Sequence, residues 1–272
     1  MKKLLLLIIS VCYFNFQLFA SGEPLSVGGR NAAMGNASVT LSDAFSVFNN
    51  QAGMAFLQGF SAGLFTQRNF GISELSFSAG GVTLPTKSGV FGLSAGYFGF
   101  SGYNEKKAGL AYSRLFGSKI SGGIQIDYLG TSISEYGNAS AFTFEAGLIV
   151  KVSDHFTTGA HVFNPVRINS GFANEKIPTT FNLGVSYAPN SKVLIASEIA
   201  KDIDFPVHFR AGIEYQVIEV LYLRAGIETK PSQYTFGFGI NLDQLKIDFA
   251  SSYHPVLGVT PQISLSYTFG KH

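Results

Sequence analysis

The chain has 272 residues, of which only 13% are Asp, Glu, Lys or Arg, while 14% are aromatic and 31 are Gly. So few charges among so many aromatics exclude intrinsic disorder and argue against an ordinary soluble globule, in which about a quarter of residues are charged. The formal net charge of +2 resides in Lys2 and Lys3; without them 17 basic residues face 17 acidic ones, and nothing in the charge points to nucleic acid.

Lys2 and Lys3, the apolar run Leu4 to Val11 and the small residues Ala20-Ser21-Gly22 form a secretory signal peptide, expected over residues 1–20. Cys12, the only cysteine, lies inside it, which removes a disulfide framework and a lipid-anchored cysteine from consideration. Residues 21–58 show no alternation. Within them Arg30–Gly35 and Ser42–Phe48 read as two short helical pieces, the second with Ser42 as its N-cap, and Asn49–Gly53 as a turn. Met34, Leu41, Phe45, Phe48 and Met54 need burial, so this segment is expected to fold back as a plug inside the larger C-terminal part of the chain.

From residue 59 to 272 the pattern changes to period two. In Gln262–Phe269 every second residue is apolar, and Tyr234–Leu242 and Val207–Tyr215 repeat the design. No later run reaches the 18 apolar residues of a membrane helix. About fourteen alternating segments begin near Phe60, Leu75, Val90, Lys107, Ile120, Phe142, Phe156, Phe181, Val193, Val207, Leu221, Tyr234, Leu245 and Gln262. Short connections at Pro85–Lys87, Phe116–Ser118, Ser153–His155, Ala188–Ser191, Ile218–Glu219 and Asp243–Gln244 alternate with longer ones. The longer ones fall at Thr66–Ile72, Phe100–Tyr103, Thr131–Asn138, Asn164–Pro178, Asp202–Pro206, Thr229–Gln233 and His254–Thr260. Short turns on one side and longer loops on the other describe an all-β, antiparallel transmembrane barrel of the outer membrane of a Gram-negative-type bacterium, with both chain ends on the periplasmic side. A soluble sandwich would carry Lys, Glu and Thr on its second face, whereas here that face is Gly, Ser, Thr and Asn with scattered ions.

The stretch Gly28–Ala37, containing Arg30, Met34 and Gly35, is followed by Asn50-Gln51-Ala52-Gly53-Met54. These motifs resemble the N-terminal signature of FadL-like outer-membrane proteins, and more closely that of the PorV/PorQ family associated with type IX secretion. Gln51 stands where that family has proline. Gly159–Pro165, Ile177-Pro178-Thr179 and Ser252–Gly258 resemble family strand ends and loops, so the resemblance covers nearly all of the mature chain. It implies a fourteen-strand barrel with an N-terminal hatch, and a non-enzymatic accessory or scaffold role among secretion-system or surface-attachment proteins. The alternative it leaves open is a FadL-like channel for small hydrophobic molecules.

Each reading makes demands on particular residues. A scaffold needs an exposed partner surface, and the longest loop, with Asn164, Pro165, Arg167 and Pro178, is the candidate. A channel needs an apolar pocket by the plug, for which Phe45, Phe48 and Met54 are candidates, and a strand kink that opens laterally. A third, weaker reading is an outer-membrane serine hydrolase: Ser61 and Ser94 sit in Gly-x-Ser-x-Gly sequences, but both lie within strands and lack the following helix that a nucleophile elbow requires. The five histidines show no zinc spacing, and no cofactor is implied. Arg210-Ala211-Gly212-Ile213-Glu214 recurs as Arg224-Ala225-Gly226-Ile227-Glu228. With Asp127 and Glu145, joined by Glu198, Lys246 and Asp248, these ions fall on the face opposite the apolar residues. They are expected to point into the lumen, because Arg or Lys facing lipid at mid-membrane costs about 2–4 kcal/mol.

Overall fold

The computed structural model describes residues 26–169 and 176–270. The signal peptide expected at residues 1–20 and the centre of the Asn164–Pro178 connection lie outside the described residues.

Fourteen antiparallel strands close into a barrel in which each strand pairs with its sequence neighbours and the last pairs with the first. They are β1 (Ser61–Arg68), β2 (Ser76–Pro85), β3 (Val90–Phe100), β4 (Tyr103–Phe116), β5 (Ile120–Ile133), β6 (Gly137–Lys151) and β7 (Phe156–Phe163). The second half comprises β8 (Thr180–Asn190), β9 (Val193–Asp202), β10 (His208–Ile218), β11 (Leu221–Thr229), β12 (Ser232–Leu242), β13 (Leu245–His254) and β14 (Gly258–Thr268). Closure satisfies every strand edge, the condition for a sheet in lipid.

Side-chain alternation sets what each face meets. On β12, Tyr234, Phe236 and Phe238 are exposed on the outer wall while Thr235 and Gly239 are buried inside. Leu64, Leu93, Leu110, Ile124, Ile126 and Leu183 are likewise more than half exposed. In water such a surface would aggregate; in a bilayer it is the solvated face.

Three of the longer connections foreseen from sequence are tight turns. Strands β4, β5 and β6 run 14, 14 and 15 residues, so β3 and β4 meet across Ser101-Gly102, and β5 and β6 across 134–136. Lys230-Pro231 joins β11 to β12. Positive φ at Gly99, Glu135 and Gly137 lets the chain reverse there. The two strands expected from Lys107 and Phe142 therefore start four and five residues earlier, and the one expected from Gln262 starts at Gly258. Over these added residues the apolar alternation fades, with Asn104 and Lys106 on the outer face and Glu105 and Lys107 on the inner one.

Residues 26–58 lie inside the barrel. They form α1 (Gly29–Ala33), α2 (Ser46–Asn49) and a 3₁₀ helix over Gln51–Phe56. The second helix begins after Phe45 rather than at Ser42, and no side chain caps it. Asp43 instead builds the entry turn: its Oδ1 accepts from the Phe45 N–H at 2.9 Å, and its own N–H donates to Ser46 Oγ at 3.0 Å. The stretch Asn49–Gly53, read as a turn, continues into the 3₁₀ helix, with Asn50 Oδ1 accepting from the Ala52 N–H at 3.1 Å.

Candidate functional site

The plug touches the wall so closely that the wall must lack side chains where it passes. A Cβ on Gly147 would lie 1.9 Å from Asn50 Oδ1, one on Gly226 2.3 Å from the Gly35 nitrogen, and one on Gly212 2.4 Å from the Met34 carbonyl oxygen. Each is below any real contact distance, so these inward glycines are the seats of the plug.

The two flanks of the plug differ in chemistry. On the β9–β13 flank the repeated pentapeptides pair with each other antiparallel: Arg210 opposes Glu228, Gly212 opposes Gly226, and Glu214 opposes Arg224. Each arginine thus faces the other repeat's glutamate, and the paired glycines leave room for Met34 and Gly35 between them. Arg30 of the plug reaches Glu214 through two hydrogen bonds of 2.8 and 2.7 Å, and Arg224 donates to the same carboxylate at 2.6 Å and to Asp248 at 2.7 Å. Asp43 lies 3.6 Å from Arg30. Arg210 bonds Glu228 at 2.9 Å and Glu198 at 3.1 Å, while Glu198 also accepts the Ser38 and Val39 N–H groups at 2.8 and 2.9 Å. Asn36 donates to Glu228 at 3.2 Å, and Thr235 takes the Gly35 N–H and gives its proton to the Ala33 carbonyl. Burial opposes the charge on Arg30, but Glu214 and then Asp43 more than compensate and raise its pKa above the usual arginine value.

A second, smaller ionic group sits across the lumen. Lys107 of β4 bonds Glu145 of β6 and lies 3.6 Å from Asp127 of β5. Glu145 also takes the Gln51 amide at 2.7 Å and meets His161 at 2.9 Å. Gln51, which occupies the position of the expected proline, therefore ties the 3₁₀ helix to the wall through its side chain. Lys107, Asp43, Asn36 and Thr235 were not singled out from sequence. For Lys107 and Thr235 the signal was available: both share inward parity with a glycine two residues away.

Away from Lys107, the plug meets β1–β4 through apolar residues. Phe45, Phe48 and Met54 pack with Val27, Val47, Phe65, Ala79, Val90 and Ala111 into one buried cluster. Gly63, Gly81 and Gly92 lie directly beneath Phe45, Val47 and Met54. The three candidate pocket residues are therefore brought together, but as packed core rather than as the lining of an open cavity. The lateral kink is also missing from this conformation: pairing from β1 through β6 runs without a register shift. Two adjoining hollows of about 540 and 470 Å³ lie instead on the outer wall over β14 and β1–β3.

The remaining sequence candidates fall elsewhere. Asn164 is fully buried rather than presented to a partner. Its amide donates to the Ile177 and Pro178 carbonyls at 2.9 and 3.3 Å and its Oδ1 accepts from Thr143 at 2.8 Å. Asn164 and the buried Pro178 thus close the base of their loop, with Pro165 partly covered beside them, while Arg167 is exposed and pairs with Asp204. Ser61 donates to the Gly59 carbonyl and to Thr268, and Ser94 lies inward on β3; neither precedes a helix. Among the described residues no three His, Cys, Asp or Glu side chains converge as a metal site.

No sequence-family profile matches the chain, and no characterised protein matches it by sequence. Solved structures do resemble it. The toluene transporter TodX of P. putida matches with a TM-score of 0.72 at 15% identity, over 92% of this chain and 100% of that one. The CymD monoaromatic hydrocarbon channel gives 0.70 at 12%, over 93% and 100%. A Pseudomonas aeruginosa FadL homologue gives 0.64 at 14%, over 93% and 100%. At such identities the likeness establishes the fold alone: the closed fourteen-strand barrel that these channels and transporters share.

Proposed function

We propose that this barrel is a plug-gated channel that admits small hydrophobic molecules through the outer membrane. The observation that carries the reading is the division of the plug into an ionic flank and an apolar one. Phe45, Phe48 and Met54 form an apolar seam along the inside of β1–β4, while Arg30 holds the opposite side. A polar solute gains nothing along such a seam. A hydrocarbon gains roughly 25 cal/mol for each Å² it removes from water, and it needs only that the packed aromatic cluster give way. The structural neighbours, described as channels for toluene and monoaromatic hydrocarbons, support the same reading. The closed wall and packed cluster make this conformation the resting state of the gate.

A scaffold role in type IX secretion or surface assembly finds less support. Its candidate surface, the Asn164–Pro178 loop, is tied down at its base by buried hydrogen bonds.

The mature chain lacks cysteine, which makes a direct test possible. A Cβ on Gly81 would lie 2.8 Å from Val47 Cγ1, the position a Cys sulfur would take, which suits a disulfide. The double variant Val47→Cys with Gly81→Cys should take up radiolabelled toluene into cells when reduced and stop when oxidised. Equal uptake in both states, or uptake no greater than in cells without the protein, would overturn the channel.

A further inference from the structure

The outer-wall hollows over β1–β3 lie on the opposite side of the wall from the gate, and the residues around them change in a definite order. At their lower end the outward residues are Ala62, Val82 and Leu93. One row higher, Leu64, Gly80 and Ala95 stand in register, and β4 continues the row with Ala108. Gly80 and Ala95 put only small groups between the exposed side chains of Leu64, Leu93 and Leu265, and Leu64 Cδ2 lies 3.0 Å from where a Cβ on Gly80 would sit. In the next row the outward residues turn polar. Thr66 and Ser78 lie side by side with their hydroxyls 3.2 Å apart, Tyr97 follows, and Lys106 stands beside it on β4. Above Thr66 comes Arg68, outward and exposed, with the acidic Glu74 near it. Tyr128 leans the same way, its hydroxyl 3.2 Å from where a Cβ on Gly130 would sit, and Gly130 is the register partner of Lys106.

From Ala62 to Thr66 the groove spans four strand steps, about 14 Å. It is open to the membrane rather than to water, so its occupant comes from the bilayer. Apolar floor, hydroxyl belt and cation follow one another in the order of an acyl chain, its ester or amide linkage and an anionic headgroup. The cationic end lies on the side of the long 164–179 connection, opposite the end of β14 at Thr268; with longer loops facing outward, that is the outer leaflet.

We infer that the groove over β1–β3 seats one acyl chain of a phosphorylated outer-leaflet glycolipid of the lipid A type, with Lys106 holding a phosphate at its upper end. The small residues Gly80 and Ala95 admit the chain once the flexible Leu64 side chain swings off Gly80. Lys106 stands in the hydroxyl row itself, beside Tyr97, whereas Arg68 lies one row above it, so Lys106 is the cation placed for the phosphate. The inference rests on the outer-membrane barrel and is independent of what passes through the lumen.

Fluorescent lipid A, titrated into the purified protein in detergent, provides the probe. Lys106→Gln should weaken its binding about five-fold, the effect of one cation near an anionic surface. The double variant Gly80→Leu with Ala95→Leu fills the groove without touching any charge and should weaken binding at least as much. Both variants must keep the mobility shift on heating that marks a folded barrel, and toluene uptake is measured in parallel. Unchanged lipid A binding in either folded variant would overturn the site. Equal competition by phosphatidylglycerol would overturn the assignment to the outer-leaflet glycolipid. Loss of uptake in the filled-groove variant with lipid A binding intact would make the hollow a solute exit and would also overturn the proposal.

Discussion

The two flanks of the plug are held by different kinds of force, and the difference teaches what each flank can do. On the β9–β13 side, Arg30, Arg224 and Arg210 share four wall carboxylates, and the plug backbone itself donates to Glu198 and Thr235. Such bonds are directional: a shift of an ångström breaks several at once and leaves buried charge unpaired. On the β1–β4 side, Phe45, Val47, Phe48 and Met54 lie on glycine and alanine, where contacts are many, weak and free of direction. The ionic flank is an anchor. If the proposed channel opens, the apolar flank is the side whose contacts can be exchanged without stranding charge.

The largest effect expected from breaking this comparison is at the anchor. Glu214→Ala removes the carboxylate shared by Arg30 and Arg224, leaving Arg30 to Asp43 at 3.6 Å and Arg224 to Asp248, which costs about 4 kcal/mol. Released from its wall, Arg30 should become a trypsin cleavage site in the intact barrel; continued resistance would show that the anchor lies elsewhere. Phe45→Ala comes next. It opens a cavity in the apolar cluster at a cost of about 3 kcal/mol, yet should raise basal uptake of toluene while Arg30 stays protected. Protease sensitivity equal to that of Glu214→Ala would erase the distinction between the flanks. Smaller again is Gly226→Ala, whose Cβ would press on the Gly35 nitrogen. Overpacking of this kind costs about 2 kcal/mol, visible as a lower unfolding temperature on heated gels.

These two flanks were not equally legible in the sequence. Barrel strands such as Tyr234–Leu242 could be read because every lipid-facing position is apolar and every inward one is Gly, Thr or Asn, so the parity is visible without any neighbour. At Glu105-Lys106-Lys107 charge falls on both faces, Lys106 outward and Lys107 inward to Glu145, so polarity alone does not mark the inward side and only the glycine two residues beyond Lys107 does. The repeat Arg-Ala-Gly-Ile-Glu was visible as a pattern and its inward aim followed from the cost of charge in lipid. Its antiparallel self-pairing was not visible, since that depends on the turn at Glu219-Val220 and its register shift at Val217. The plug was the least legible part. Its helices of five and four residues are too short to stand by local propensity, and what shapes them is the wall: Asn50 against Gly147, Gln51 on Glu145, Met34 between two glycines. Asn164 misled for a related reason. A polar residue in a long connection reads as exposed, whereas its four hydrogen-bonding contacts with Thr143, Ile177, Pro178 and Thr179 bury it.

The smallest predicted effect is also the sharpest test of the apolar flank. Met54 is fully buried, with its sulfur 2.7 Å from where a Cβ on Gly92 would sit. Leucine has nearly the same volume but is branched and stiffer, so Met54→Leu should cost less than about 1.5 kcal/mol in stability. Methionine's flexible chain would let the cluster part around a guest and close again, as the proposed gate requires. If the apolar flank is the gate, the variant should lower toluene uptake more than it lowers the unfolding temperature, because a rigid side chain resists opening while it packs almost as well at rest. If uptake follows stability in proportion, the cluster is static core and the mobile element must be sought on the ionic side.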